Sequence, residues 1–301
     1  MKINSVAIIL SSYNGENYIS EQIESIIKQT YKEWKLFIRD DGSTDSTVSI
    51  INRYVKEDDR IQIIKDNYGN LGPLKSFELL MDQVIQFEYI FFCDQDDIWL
   101  EKKIEISLNE MSQMNNNVKL VYTNFEKFET GTNIKEEVYK KDMGSNHKNL
   151  LVQNWIYGCT MVINNELLKL TRQIPVEAIN HDNWIVNVAQ IYGEISYINE
   201  IMLLHRLHDN NVTTRKENKI LRKLRYMLKI IKERNTNKRK KRIFVEKIME
   251  INKEIPKERS YIKFFYGMLI SKNPIKVISL YKENFRGYTV LRTVSFYFTI
   301  L

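Results

Sequence analysis

The sequence predicts an α/β fold: a mostly parallel sheet with helices on both faces, followed by a helical, basic C-terminal extension. Three observations lead there. Over the first hundred residues, short β-rich runs alternate with helical stripes. Two acidic turns, Asp40-Asp41-Gly42 and Asp94-Gln95-Asp96-Asp97, each close an apolar run, so both fall on the carboxyl edge of the strands, where ligands bind in such sheets. From about residue 214 the pattern turns helical and basic.

The elements follow in order. Residues 6–10 form a short β-rich run, and Ile19, Ile23, Ile26 and Ile27 make the apolar stripe of a helix over 20–29. Residues 34–38 form a second strand, ended by Asp40-Asp41-Gly42-Ser43. Val48, Ile50, Ile51 and Val55 carry a helix over 45–55, with Ser43 or Thr44 as its cap. A third strand spans 61–64, a helix 77–85 and a fourth strand 89–93. The middle, 118–205, mixes strands at 118–123, 160–163 and 195–198 with helices at 165–170 and 182–191.

Composition narrows the class. The chain has 301 residues, 43% hydrophobic and 28% charged, which is ordinary for a soluble globular protein with a substantial core. Cys93 and Cys159 form neither a disulfide framework nor a metal-ligand spacing. The apolar stretch at the N-terminus lacks the longer apolar region and cleavage site of a signal peptide, and no run reaches the roughly 18 apolar residues of a membrane span. A reducing, cytoplasmic location is expected. The net charge of +7 is uneven: residues 215–242 hold 14 Lys/Arg against two Glu, and the rest holds 31 basic against 36 acidic residues. Such a body does not suit a protein that coats nucleic acid along its whole surface.

Several constellations carry chemistry. Asp94, Asp96 and Asp97 repel one another at the end of a buried strand, so the cluster needs a counter-charge. A divalent cation on a diphosphate fits, because Mg²⁺ and Mn²⁺ prefer carboxylate, water and phosphate oxygens. The alternative is a solvated loop in which Asp97 caps a following helix. In SSYNGENY, residues 11–18, Asn14 and Gly15 permit a tight turn, and Tyr13 offers a flat face to a base. Asp40 can accept a hydrogen bond from the N3–H of a uracil or thymine, while Asp45 favours the next helix N-terminus. Neither a dinucleotide fingerprint nor a P-loop is present. Asp182, in His181-Asp182-Asn183-Trp184 at a helix start, is either a cap or a general base for an acceptor hydroxyl. His205-Arg206-Leu207-His208 follows a strand-like run and offers a histidine to a metal or a phosphate.

In this order SSYNGENYISEQIESIIKQTYKEWKLFIRDDGSTD, FFCDQDDIW, HDNW and HRLHDNNVT resemble the family 2 glycosyltransferases of the GT-A fold, and within them bacterial rhamnosyltransferase-like enzymes of cell-surface polysaccharide synthesis. The resemblance covers roughly residues 4–213. Two positions depart from the family pattern: Ser12 stands for the usual Pro, and His205-Arg206-Leu207-His208 for the usual Tyr-Arg-Gln-His.

The resemblance implies a GT-A domain over 1–213, with a nucleotide-binding part about 1–100 and an acceptor part about 101–213, before a basic helical region over 214–301. It implies inverting transfer from a nucleotide diphosphate sugar to a hydroxyl of a polysaccharide or lipid-linked acceptor. Rhamnose from dTDP-rhamnose is the favoured donor; a UDP-hexose donor, or a non-catalytic sugar-nucleotide scaffold, is the alternative. Ser12, Tyr13, Asn14, Asp40, Asp94 and Gln95 would bind the nucleotide, Asp96 and His208 would hold Mn²⁺ or Mg²⁺, and Asp182 would be the base. Further contacts to acceptor or donor sugar would come from Asp97, Trp99, Trp155, His181, Trp184 and Arg206, although the three tryptophans serve equally as core. Lys75 is either a nucleotide contact or an exposed helix residue. In 215–242 an apolar stripe (Leu221, Leu224, Met227 or Leu228, Ile231) runs among the cations. It fits an anionic membrane on the inner face of the plasma membrane, and equally packing on its own domain or on a second subunit in a homodimer. Only Tyr226 interleaves there, so nucleic acid is not expected.

Overall fold

The computed structural model describes residues 5–131, 135–139, 144–208, 234–252, 254–271, 273 and 275–279. Among these residues, four parallel strands build the first half of a nine-stranded sheet: β1 (Val6–Ser12), β2 (Trp34–Asp40), β3 (Ile61–Ile64) and β4 (Tyr89–Cys93), in spatial order β3-β2-β1-β4. The crossovers are α1 (Ile19–Ile27), α2 (Thr47–Glu57) and α3 (Pro73–Gln83). Val6 through Leu10 and all of β4 are buried, as near-continuous apolar strands covered on both faces must be. The register pairs Ser12 with Asp40 and Leu10 with Cys93, so the loops after β1, β2 and β4 open on one edge.

The second half is mixed. β8 (Met161–Asn164) runs antiparallel to β4, and β6 (Lys119–Glu129) antiparallel to β8. β9 (Glu194–Leu207) is parallel to β6, and the two-residue β5 (Ile98–Trp99) is antiparallel to β9. β7 (Lys135–Glu137) pairs with the end of β6. The helices here are α4 (Lys103–Gln113), α5 (Asn165–Thr171) and α6 (His181–Tyr192).

Several boundaries differ from expectation for identifiable reasons. α3 starts at Pro73, ahead of 77, because Gly72 at φ 79° turns the chain and Pro73 fits the first helical position. α2 begins at Thr47, whose N–H is taken by the Asp45 carboxylate at 3.0 Å, so neither Ser43 nor Thr44 is the cap. β6 and β9 run well past 123 and 198 because they pair with each other, through register shifts around Asn124. Asp97 leads into β5 and caps no helix; α4 starts only at Lys103.

Two C-terminal helices, α7 (Arg234–Ile251) and α8 (Tyr261–Ile270), share the main core through Phe244, Val245, Ile248, Ile262 and Phe265. Phe244 meets Trp184 edge-on at 5.6 Å, and the Tyr192 hydroxyl donates to the Ile248 carbonyl at 2.7 Å. These helices therefore brace α6, which carries Asp182. Residues 215–233, with the stripe from Leu221 to Ile231, lie outside the described residues. Among the described residues no helix is long and apolar enough to cross a membrane.

Candidate active site

β1 and β2 end side by side, and the turns after them are stitched together. The Ser12 and Ser43 hydroxyls donate to Asp40 Oδ1 at 3.1 and 2.6 Å, and the Gly42 and Ser43 N–H groups donate to Oδ2 at 3.1 and 2.8 Å. A carboxylate offers about four acceptor positions, so a base N–H can reach Asp40 only where one of these hydroxyls turns away. Asn14, at φ 47°, accepts the Thr44 N–H at 2.9 Å and donates its own N–H to Ser43 Oγ at 2.8 Å. Gln95 pairs twice with the Tyr13 backbone, accepting its N–H at 2.8 Å and donating to its carbonyl at 3.0 Å. A Cβ at 15 would sit 2.3 Å from Gln95 Oε1, so a larger residue there would have to displace the Gln95 side chain. The Tyr13 ring is left 47% exposed above this clasp.

Behind the turn lies a network that sequence reasoning missed. The buried Arg39 donates to Asp41 at 2.5 Å, to Asp66 at 2.7 and 3.1 Å, to Ser76 Oγ at 2.6 Å and to the Gly69 carbonyl at 3.0 Å. Asp41 also accepts the Leu71 and Gly72 N–H groups, both at 2.8 Å. Burial alone would raise Asp41, but the Leu71 N–H, Arg39 and the Gly72 N–H outweigh it and hold it below the ordinary carboxylate range. The available signal was an arginine at the end of an otherwise apolar strand, since buried arginine demands buried partners.

In the loop after β4, burial and like charge dominate. Burial, with the charges of Asp97 and Asp96, pushes Asp94 up to about 8. Burial and Asp97 raise Asp96 as well, against the pull of His208. Asp96 Oδ2 lies 2.8 Å from His208 Nε2, and the His208 ring stacks on Tyr18 with centroids 4.6 Å apart. His205 and His208, three apart on extended chain, face opposite sides. His205 Nδ1 meets Asp97 Oδ1 at 2.8 Å; burial alone would lower His205, but Asp97, Asp94 and Asp96 raise it to about 9. Crowded carboxylates that are disfavoured as anions, with an imidazole beside them, fit a divalent cation of the Mg²⁺ or Mn²⁺ class. Asp96 and His208 would hold it; among the described residues the group of three ligand-type side chains whose ligand atoms lie within 4.8 Å of one another is a different, buried one, Asp97, Cys159 and His205.

Asp182 opens α6. Its Oδ2 accepts the Gly158 N–H at 3.3 Å, and its buried Oδ1 makes no hydrogen bond. Burial pushes it up to about 6, against the N–H groups of Asn183 and Gly158 and the side chain of Asn154. A carboxyl poised near neutral pH with a spare oxygen suits removal of a proton from a hydroxyl. Cys159, next to Gly158, has its Sγ within 4.8 Å of the Asp97 and His205 ligand atoms, so this segment links Asp182 to the acidic loop.

The fold thus gathers Ser12, Tyr13, Asn14, Asp40, Asp94, Gln95, Asp96 and His208 on one edge, with Asp182 joined through Gly158. Other expected sugar contacts go elsewhere. Asp97 and Trp99 are buried, the latter against Phe91 at 5.8 Å. Trp184 is core, its indole N–H donating to the Thr171 carbonyl at 3.0 Å, and Trp155 is half-buried against the same core. His181 lies between Phe77 and Phe92, at 4.0 and 5.3 Å, and burial lowers it to about 3, so it packs as a neutral ring. Arg206 is buried, and its donors go to the Asp96 carbonyl, Thr130 and Glu21. Lys75 pairs with Glu78 on the surface of α3.

Known proteins resemble this chain in sequence and in fold. Residues 7–169 match the model of glycosyl transferase family 2. A UDP-Glc:alpha-D-GlcNAc-diphosphoundecaprenol beta-1,3-glucosyltransferase of Escherichia coli is 32% identical over 54% of this chain and 61% of its own length. A dTDP-rhamnosyl transferase of Shigella flexneri is 29% identical over 67% of this chain and 72% of its own. The chain spans less than two thirds of the length of the Escherichia coli relative. Among solved structures, S. aureus TarS 1-349 in complex with UDP-GlcNAc superposes with a TM-score of 0.61 at 14% identity, over 97% of this chain and 78% of that one. A mannosyltransferase from Pyrobaculum calidifontis in complex with GDP-Man and Mn²⁺ gives 0.55 at 13% identity, over 96% and 77%. At these identities the structural likeness is one of fold, the GT-A fold.

Proposed function

The chain belongs to glycosyl transferase family 2, and from that premise we propose that it transfers a sugar, with inversion, from a nucleotide diphosphate donor to an acceptor hydroxyl in bacterial surface glycan synthesis. The observation that carries this reading is the acidic loop after β4, where three carboxylates crowd within four positions and Asp96 Oδ2 lies 2.8 Å from His208 Nε2. Such a loop binds a cation and, with it, a diphosphate. The donor is a pyrimidine nucleotide sugar, with dTDP-rhamnose favoured over a UDP-hexose. The Shigella flexneri relative, named for a dTDP-rhamnosyl donor, matches across more of the chain than the Escherichia coli relative named for UDP-Glc.

Each group then has a role. The exposed Tyr13 ring stacks on the base, and Ser12, Asn14 and Asp40 shape the pocket around it. Gln95 keeps the base turn joined to the acidic loop. Bound Mn²⁺ or Mg²⁺ would supply Lewis-acid neutralisation of the departing diphosphate. Asp182 Oδ1 takes the acceptor proton while the hydroxyl oxygen attacks the anomeric carbon. The new C–O bond forms opposite the breaking one, and the electron pair leaves with the diphosphate oxygen. The basic segment 215–242 is proposed to hold the protein against an anionic membrane; flotation with anionic liposomes at low salt tests this, and absence of binding removes it.

The deciding experiment is calorimetric binding of UDP-, dTDP- and GDP-sugars, with and without Mn²⁺, to wild type and Asp96→Ala. Metal-dependent binding of one donor, lost in the variant, supports the reading and names the sugar class. Metal-independent binding that survives in the variant, without transfer from any donor, favours a sugar-nucleotide scaffold.

A further inference from the structure

β5 is two residues long, and its ladder with β9 pairs only Ile98 with Leu204 and Trp99 with Leu203. A ladder this short is marginal and cannot by itself hold two loops in register. Yet the acidic loop ends just before β5, and the histidine segment lies at the end of β9. Extending the same antiparallel register sets Asp97 opposite His205 and Asp96 opposite Arg206. Those are the pairs the side chains make. Asp97, with no exposed surface, accepts from the Arg206 backbone N–H at 3.3 Å on the same oxygen that meets His205 Nδ1 at 2.8 Å. Arg206 donates from Nε to the Asp96 carbonyl at 3.0 Å and from Nη1 to Thr130 Oγ1 at 2.6 Å, and it pairs through Nη2 with Glu21 at the start of α1. Its guanidinium lies 4.7 Å from the Phe128 ring centre and 5.1 Å from that of Tyr18, the ring on which His208 stacks.

We propose that Asp97, His205 and Arg206 form an anchor that touches no substrate and continues the two-residue ladder of β5 in side chains, holding Asp96 beside His208, now 2.8 Å apart, so that both can turn to one cation. These are positioning residues. The buried Asp97–His205 pair fixes the backbone of the loop, and the planar fork of Arg206 ties three separate elements, the Asp96 loop, Thr130 and α1. Buried ion pairs of this kind specify geometry more than they stabilise. The inference rests on the metal reading of Asp96 and His208 given above.

The test is titration calorimetry of Mn²⁺ in the presence of UDP, beside UDP binding without metal, on full-length wild type, Asp97→Asn, Arg206→Lys and Glu21→Gln. Folding is checked by thermal melting. Outer partners of metal ligands typically set affinity by about 10- to 100-fold. The expected result is Mn²⁺ affinity weakened in that range for Asp97→Asn and Arg206→Lys, with metal-independent UDP binding retained. Glu21→Gln should show a smaller loss of the same kind. Glu21 has a side chain 55% exposed, so its variant folds even where Asp97→Asn does not. Variants that melt earlier but, when folded, bind Mn²⁺ like wild type overturn the anchor and leave the active site standing. A wild type with no metal-dependent binding overturns the metal reading and the anchor together.

Discussion

The two acidic turns on the carboxyl edge of the sheet read alike as sequence and differ as chemistry. Residues 40–45 hold three aspartates, and so do residues 94–97. At the first turn the protein supplies the donors: two N–H groups and two hydroxyls on Asp40, Arg39 and two N–H groups on Asp41, and Thr47 on Asp45. Asp41 and Asp45 are accordingly held below the ordinary range, hydrogen bonds outweighing burial in both. At the second turn burial and like charge dominate, and Asp94 and Asp96 are raised. An acidic turn that feeds its own carboxylates is architecture. One whose carboxylates are raised by burial and like charge is the candidate ligand site.

The sharpest way to break this contrast is to remove one carboxylate from each turn. Asp96→Ala should abolish metal-dependent donor binding and lower turnover by at least about 10³-fold, since a metal contributes several kcal/mol to a developing charge. Binding and single-turnover assays check it; retained metal dependence would place the cation elsewhere. Next in size is Asp182→Ala, expected to lower kcat by about 10²–10⁴-fold with donor affinity unchanged. An equal loss of both would assign Asp182 to donor binding. Its pH signature has a definite sign. The base must be deprotonated, and Asp182 is raised to about 6, so kcat/KM should fall as pH drops through about 6. Asp182→Asn should lose that limb.

The contrast also explains what the sequence made legible. The parallel half, with Ser12, Tyr13, Asp40 and the loop at 94–97, could be read because each strand is a short apolar run closed by polar punctuation. In the β6–β9 half the main strands and helices could be placed but the extent of β6 and β9 could not, because these strands are prolonged by pairing with each other across about 75 residues, and Ile98–Trp99 is too short to carry a period. Within the site, residue type was readable but direction was not. Asp97 looked like another exposed loop acid and is buried; Arg206 looked like a sugar contact and faces inward. Such directions depend on which neighbour supplies a partner, and nothing local encodes that.

The self-fed turn makes a stability prediction of the opposite kind. Asp41 is nearly fully buried against Arg39, so Asp41→Asn should cost about 3–5 kcal/mol at neutral pH, as removing one partner of a buried pair does. The folded pKa values of Asp41, Asp45 and Asp66 lie below the unfolded value of 3.8. Their contribution is therefore full above that value and lost as pH falls through the folded values. Denaturant midpoints of wild type and Asp41→Asn should converge below about pH 4. The stabilisation that Mn²⁺ adds, about 2.7 kcal/mol at a hundredfold excess over Kd, should be the same in both proteins. A variant that loses the Mn²⁺ increment would show that the two turns are coupled.

The smallest expected effect tests whether the first turn is wholly architecture. The Ser43 hydroxyl donates to Asp40 Oδ1 at 2.6 Å and accepts the Asn14 N–H at 2.8 Å. Ser43→Ala should cost about 0.5–1.5 kcal/mol, the net worth of an ordinary hydrogen bond. It also opens one acceptor position on Asp40. If Asp40 reads a pyrimidine N3–H, that vacancy should leave UDP affinity unchanged or improved, whereas Asp40→Ala should weaken it. Equal weakening in both variants would mean that UDP responds only to the shape of the turn, with Asp40 acting through Ser43 and Asn14 and making no contact with the base.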